Sequence, residues 1–504
     1  MIPLDGIDAI LFDIGGTLVP EAPPGTAVAA LEPAAFDGVP ELLRALSARH
    51  RLGAVTNTSV MREGDVRALL GQMGIDEFLE VVVTSTDVGV AKPAPEPLLH
   101  ALRVMQVDAP RALYVGDLAT DRTAALDAGM PFVATDRSLG DALERAAHAQ
   151  RGPFARYADQ VTPPDTAAIA AATERQDRLT KPPGSLGQLE ALGTRLAGIS
   201  GVCPPPVPQP VAVAVFAADH GVVASGVTPW PQAVTTQMVA NFANGGAAIN
   251  VIARQVGATV HVVDVGVASD TSQFAGVRVH KVRAGTADLS RGAAMSVADA
   301  RAALDVGAMV ATELVDAGNR LLVTGEMGIG NTTASAALIA AFTGRAAMAV
   351  TGRGTGIDDV MLAHKQAIVA DAVSRTEGFL DPISVLSEIG GLEIAALAGF
   401  IVGGAAKGVP VVVDGVITGA ALLLAEALVP GVTDRVIAGH RSTEPGASVV
   451  LEHLGLSPVL DLDLRLGEGT GACLAVPIVQ AAARILNEMA TFDEAAVSER
   501  PAGE

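Results

Sequence analysis

Residues 461–472 read DLDLRLGEGTGA: leucines alternate with polar residues until the pattern stops at Glu468, held between Gly467 and Gly469. Alternation with a period of two predicts a strand over 461–466, and the apolar run over 472–489 predicts a helix. Glu468 then sits on the turn between them, at the carboxyl end of a strand, where open α/β sheets place their ligand crevices. The flanking glycines remove side chains that would hold a ligand away from that turn. The plainer alternative is a solvated loop glutamate between two turn glycines.

Working back from this turn, strands are predicted at 211–217, 260–263, 320–323, 409–413 and 435–437, each ending in polar or glycine-rich sequence. Strand, loop and helix repeated in this way predict an α/β domain with a doubly wound, mostly parallel sheet, so one edge collects the functional loops. The loop GEMGIGNTT, 325–333, comes close to the triphosphate pattern G-x-x-x-x-G-K-[ST], but Asn331 stands where the lysine belongs. A triphosphate would lack its main counter-charge, which excludes an NTPase. Glycines leading into a helix still suit a phosphate monoester. A second glycine cluster, TGRGTGID at 351–358, precedes a predicted helix over 359–373, and His440-Arg441-Ser442 offers an anion clamp.

Composition bounds the partners. With 504 residues, 54 glycines and 50% hydrophobic residues, the chain has room for two or three well-cored domains. A net charge of -21 and a pI near 4.8 argue against nucleic acid and anionic membranes. Mean hydropathy is +0.41, but the apolar runs 394–406 and 411–429 are bounded or broken by charge and fall short of the about 20 residues of a span. Two cysteines, Cys203 and Cys473, make neither a disulfide framework nor a zinc site, and no basic residue precedes Arg44. The expected compartment is the cytoplasm. Periodicity lapses over 151–168, which contains Pro153, Pro163 and Pro164. This predicts a first domain at 1–155, a linker at 156–168 and a larger domain at 169–504.

In the first domain a predicted strand, 9–12, runs into DIGGTL at 13–18. A second, 52–55, ends at Thr56, Lys92 follows in GVAKPAPEP, and a third, 112–115, ends in GDLATD at 116–121. A carboxylate can attack phosphorus, a hydroxyl and an ammonium can hold phosphate oxygens, and further acids can hold Mg²⁺. The pattern resembles the haloacid dehalogenase superfamily of phosphatases, with their Rossmann-like fold. The resemblance makes Asp13 nucleophile and Mg²⁺ ligand, Thr56 and Lys92 the phosphate holders, and Asp117 and Asp121 the remaining metal acids. Such phosphatases usually carry a second aspartate two residues after the nucleophile, as general acid and base. Here that residue is Gly15, and losing such a group lowers rates by roughly 10² to 10⁴. Two readings follow: a Mg²⁺-dependent phosphatase, or a non-catalytic dimerisation or regulatory module. Thr56 follows Asp13 by 43 residues, which leaves room for only a small cap.

Six segments of the larger domain, KPPGSLGQLE, ADHGVVASGVTPWPQAVT, TGEMGIGNTT, GRGTGID, GHRSTEPG and LRLGEGTGA, together resemble nicotinate mononucleotide:5,6-dimethylbenzimidazole phosphoribosyltransferases. These enzymes assemble the lower ligand of cobalamin. The resemblance implies a homodimer with a small helical subdomain, small-molecule substrates and no cofactor for the transfer, because the cationic pyridinium leaves readily. It implies release of nicotinate and formation of α-ribazole 5′-phosphate with inversion. Glu468 would take the proton from the incoming base, and Glu326 would orient that base or stabilise the ribosyl cation. A bland role for Glu326 is to complement a helix dipole. Phosphate and ribose contacts fall to Gly328, Gly330, Asn331, Thr332, Gly354, Gly356, Ser442 and Arg465, with Lys365 nearby. Trp230 and Met238, with the Asp219-His220 turn, lie in the base-binding segment. There the indole either stacks on the base or serves core or interface, and Met238 either lines the pocket or packs the core. A nucleotide-binding sensor is the alternative for the domain. The product of the transfer is the expected substrate of a first-domain phosphatase.

Overall fold

A computed structural model describes residue 4 and residues 7–21, 33–135, 139–140, 142–143, 152–354, 356–379 and 381–498. The chain separates into two compact units, Met1–Arg151 and Gly152–Glu504.

In the first unit, short apolar runs form β1 (Ala9–Phe12), β2 (Arg51–Thr56), β3 (Val81–Thr84), β4 (Ala112–Gly116) and β5 (Phe132–Ala134). They make a parallel sheet in the order β3-β2-β1-β4-β5. Every residue of β1 and β4 is buried, as befits a parallel sheet covered on both faces. Phe12, Leu43, Leu52 and Leu70 pack on one face, and Leu11, Leu98, Leu102 and Tyr114 on the other. Strand order reverses between β1 and β4, so Asp13 and Asp117 flank the switch point at which such sheets bind ligands. Pattern alone does not single out β3 and β5, since VVVT and FVA are too short for periodicity to separate strand from helix. The interval expected to form a small cap includes residues 22–32, which lie outside the described residues.

The second unit carries β6 (Val211–Ala218), β7 (Ala258–Gly266), β8 (Val277–Val279), β9 (Leu321–Met327), β10 (Val411–Val413) and β11 (Val436–Ala438). All pairings are parallel, in the order β11-β10-β9-β6-β7-β8, with the reversal between β6 and β9. One face is covered by helices Val297–Asp316, Asn331–Thr343, Leu392–Ala406 and Val416–Leu428, the other by Ala248–Val256 and Thr470–Glu488. The helices Val297–Asp316 and Leu392–Ala406 touch backbone to backbone: a β-carbon on Gly307 would lie 1.7 Å from the Ala396 carbonyl oxygen. Gly307→Ala is therefore expected to force the pair apart and lower stability by about 1–3 kcal/mol. An unfolding midpoint in urea equal to that of the parent would show that the helices separate freely.

Three expectations need correction. Residues 461–466 form no strand: Asp463 has a φ of 56°, and Leu462 and Leu466 are 55% and 57% exposed. The segment instead follows the chain leaving β11, with Arg441 N–H donating to the Leu460 carbonyl and Thr443 N–H to that of Leu464. Next, β9 runs on to Met327, so Glu326 lies on a strand rather than in the loop. Finally, 156–168 is not a free linker. Helix Pro153–Ala158 belongs to the second unit, where Phe154 N–H donates to Asp305 at 2.8 Å and Phe154, Ala158 and Val161 pack on the core. Asp165 caps the next helix, Thr166–Arg178, and Pro153 starts a helix, the position that tolerates proline. Among the described residues one helix, Thr470–Glu488, is long and apolar enough to cross a membrane. It contributes Ala472, Val476, Val479 and Ala483 to the core against the sheet.

Candidate active site

Glu326 and Glu468 meet although 142 residues separate them. Glu326 Oε1 accepts the Glu468 N–H at 3.2 Å, and Oε2 accepts the Asn331 side-chain amide at 2.5 Å. Gly467, Glu468 and Gly469 have φ values of 81°, 63° and 87°. Left-handed backbone is unfavourable for a residue with a β-carbon, so the surroundings hold Glu468 in it. A β-carbon on Gly467 would stand 2.1 Å from Glu326 Oε1, and one on Gly469 2.8 Å from the Thr324 carbonyl. Asp414, beyond β10, accepts the N–H groups of Gly469 at 3.2 Å and Ala472 at 2.8 Å, which pins the turn to the start of the following helix. Glu468 Oε2 is buried without a hydrogen-bond partner.

Burial pushes the Glu468 carboxyl up to about 7, and the Asp414 carboxylate adds repulsion. Burial pushes Glu326 further, to about 8, against the two donors and with help from Asp414 and Glu393. Burial thus holds both carboxyls well above the ordinary carboxylate range. A carboxyl whose folded pKa is raised gives its full stability at low pH and loses it as pH rises through the folded value. Glu326→Gln is thus expected to stabilise the protein by a few kcal/mol at pH 9 and little at pH 5, at about 1.4 kcal/mol per pKa unit, since the Asn331 amide can turn to pair with glutamine. Thermal midpoints that shift equally at both pH values would contradict this.

Beside this pair, Gly330, with φ 95°, precedes helix Asn331–Thr343 and no side chain caps it, which leaves the helix start open to an anion. Ile329 N–H donates to Thr235 Oγ1 at 3.1 Å. Lys365 Nζ reaches in from helix Asp359–Ser374 and donates to Thr332 Oγ1 at 2.8 Å and to the Gly352 carbonyl at 3.2 Å. Burial pulls this lysine down to about 8, partly opposed by Glu444. Gly328, Gly330, Asn331, Thr332, Arg353, Gly354 and Lys365 line one small cleft, so both glycine clusters face the same space.

In the first unit Lys92 Nζ donates to Asp13 Oδ1 and Asp121 Oδ1, each at 2.6 Å, and to the Tyr114 hydroxyl at 2.8 Å. Burial pushes Asp13 up to about 6, with Lys92 drawing it down and Asp121 raising it. Thr56 ends β2, and Asn57, which the motif reading passed over, holds the Lys92 backbone with two bonds of 2.9 Å. Asp13, Asp117 and Asp121 bring ligand oxygens within 4.8 Å of one another, a donor set that fits a hard cation such as Mg²⁺. Asp121 already has one oxygen on Lys92 and the other on Leu118 N–H, and Asp13 has one oxygen on Lys92.

A phosphoribosyltransferase family model matches residues 161–497, and a haloacid dehalogenase-like hydrolase model residues 26–135. The nicotinate-nucleotide–dimethylbenzimidazole phosphoribosyltransferase of Salinispora tropica is 55% identical over 355 residues, 68% of this chain and 98% of its own length. That of Chloroflexus aurantiacus is 55% identical over 343 residues, 68% of this chain and 97% of its own. The crystal structure of CobT from Thermus thermophilus matches with a TM-score of 0.65 at 49% identity, covering 66% of this chain and 100% of that one. The chain belongs to this phosphoribosyltransferase family. Its N-terminal unit is a haloacid dehalogenase-like fusion.

Within the phosphoribosyltransferase domain, not every residue singled out by sequence reaches the cleft. Gly356 and Arg465 are exposed, and Gly356 does not line the cleft. Buried Ser442 sits behind it, accepting the Glu444 N–H at 3.4 Å, while Glu444 Oε1 accepts from Gly354 N–H at 2.9 Å. Trp230 is 47% exposed with no aromatic partner among the described residues. Met238 is half-buried against the core. Motif reading missed the fully buried pair of His220 Nε2 and Glu393 Oε1, 2.7 Å apart. Burial works against the charged His220, but Glu393 and Asp219 more than offset it and raise its pKa. It also missed the structural part of Asp414 and of His440, whose Nε2 lies 3.3 Å from Asp414 Oδ1. For His220, Asp414 and His440 the available signal was a polar residue just past a buried strand, whereas Glu393 lies in the first turn of a helix.

Proposed function

We propose that the larger domain transfers ribose 5-phosphate from nicotinate mononucleotide to 5,6-dimethylbenzimidazole, with Glu468 as general base. The observation that carries this is the Glu468 carboxyl, buried, unpartnered at Oε2 and pushed to about 7. One benzimidazole nitrogen attacks the anomeric carbon while the bond to the pyridinium nitrogen breaks, and its electron pair restores neutral nicotinate nitrogen. The other benzimidazole nitrogen loses its proton to Glu468. Glu326 holds the Glu468 turn and Asn331, which supports an orienting role. The nucleotide phosphate occupies the cleft of Gly328, Gly330, Asn331, Thr332, Gly354 and Lys365. Because the base acts ionised, kcat/KM is expected to rise with pH through about 7. A flat profile from pH 6 to 8 would point to another proton acceptor.

The N-terminal unit, on this reading, hydrolyses the α-ribazole 5′-phosphate made by its neighbour, with Asp13 as nucleophile and Lys92 and Thr56 on the phosphate. Mg²⁺, held by Asp13 and Asp117, would neutralise phosphate charge when bound. A cytoplasmic homodimer working only on small molecules completes the proposal. Mass spectrometry of the full chain with nicotinate mononucleotide, dimethylbenzimidazole and Mg²⁺ tests both activities. The expected products are nicotinate and α-ribazole, with α-ribazole 5′-phosphate accumulating in Asp13→Asn. Intact substrates would overturn the transferase reading, and α-ribazole 5′-phosphate left unchanged by the parent protein would overturn the phosphatase reading.

A further inference from the structure

The geometry points to Glu21 as the proton donor and acceptor of the N-terminal site, lying beside the place left open by Gly15. The inference rests on the phosphatase reading of that site. Directly after Asp13 the chain folds back on itself: Gly15 bridges Val19, Gly16 N–H donates to the Val19 carbonyl at 2.8 Å, and the Leu18 and Val19 N–H groups both donate to the Ile14 carbonyl. This loop returns Glu21 over Gly15. Among the described residues, a β-carbon built on Gly15 meets one atom within 4 Å, Glu21 Cγ at 3.9 Å. Glu21, an exposed side chain from further along the chain, thus lies in van der Waals reach of the space where a side chain two residues past the nucleophile would begin. Glu21 also lies close enough to Asp117, on the metal side of the site, to disfavour the ionised form of Asp117.

The chemistry balances with Glu21 in this role. An Asp13 oxygen attacks phosphorus, the bond to the ester oxygen breaks, and the departing alkoxide takes the Glu21 proton. Glu21, now ionised, takes a proton from water as the water oxygen attacks the phosphoryl group. Asp13 is released as carboxylate, inorganic phosphate departs and Glu21 is protonated again.

The test uses the full chain with Mg²⁺ and two esters, α-ribazole 5′-phosphate and p-nitrophenyl phosphate. The first releases an alkoxide that needs a proton, and the second a phenolate that does not. Glu21→Gln is expected to slow the alkyl ester by roughly 10² to 10⁴. With p-nitrophenyl phosphate it should still form phosphoryl-Asp13 but fail to hydrolyse it, so the adduct builds up in the intact mass spectrum. A β-carbon at residue 15 meets no collision among the described residues, and Gly15→Asp in the Glu21→Gln background is expected to restore turnover. A Glu21→Gln protein that matches an active parent on both esters and carries no adduct overturns the assignment of Glu21. A parent inert towards both esters and free of adduct overturns the phosphatase reading instead, and Glu21 with it.

Discussion

Glu468→Gln is expected to lower transferase turnover by roughly 10² to 10⁴ while leaving nicotinate mononucleotide affinity near that of the parent. Glutamine keeps the size of the buried side chain, and the contact that fixes the turn comes from the residue 468 backbone N–H to Glu326, which the substitution does not touch. The phosphate cleft is built from other residues. What disappears is the capacity of the buried carboxylate to accept a proton, the role proposed for it. Single-turnover rates and equilibrium nucleotide binding, measured on the same sample, separate the two effects. Near-normal turnover would sink the assignment of the base, and loss of nucleotide binding would show that Glu468 positions the cleft as well.

The second large effect is expected at Lys92. Its ammonium is buried between Asp13 and Asp121, so Lys92→Met leaves two carboxylates without their counter-charge. Removing one partner from a buried ionic cluster destabilises by about 3–5 kcal/mol, and the first unit should unfold early at neutral pH. Asp13 already has a raised pKa with the lysine present. Without the ammonium that draws it down, the Asp13 carboxyl favours the proton still more, and the variant should regain stability as pH falls through a value above the parent's of about 6. Phosphatase activity should be lost at every pH, because the ammonium that holds phosphate is gone. Melting of the variant at pH 5 and pH 8 checks this, and an equal loss at both would mean that packing around Tyr114, not charge, dominates.

The sheets were legible where buried strands end in chemistry. Asp13, Thr56, His220, Glu326 and Asp414 each stand at or just beyond the end of a parallel strand, and apolar runs such as VAVAVFAA mark those strands. Residues 461–466 misled because alternating leucines imitate a half-buried strand, whereas Leu462 and Leu466 face outward. The pairing of His220 with Glu393 spans 173 residues, and no spacing rule reaches across that interval. Arg465 shows the limit of carrying a role by motif alone, for it is exposed. The boundary at 151–168 was misread because prolines that start and separate docked helices look, in sequence, like those of a connector.

Glu326 joins the two halves of the transferase centre, one oxygen on the turn that carries Glu468 and the other on Asn331 at the phosphate cleft. Whatever draws Asn331 toward a phosphate must tug on the same carboxyl that sets the turn. Substrates held at the two ends would then be energetically linked, each changing the other's affinity by the same factor. A nucleotide in place would prime the proton acceptor before the base arrives, and an empty cleft would leave it slack.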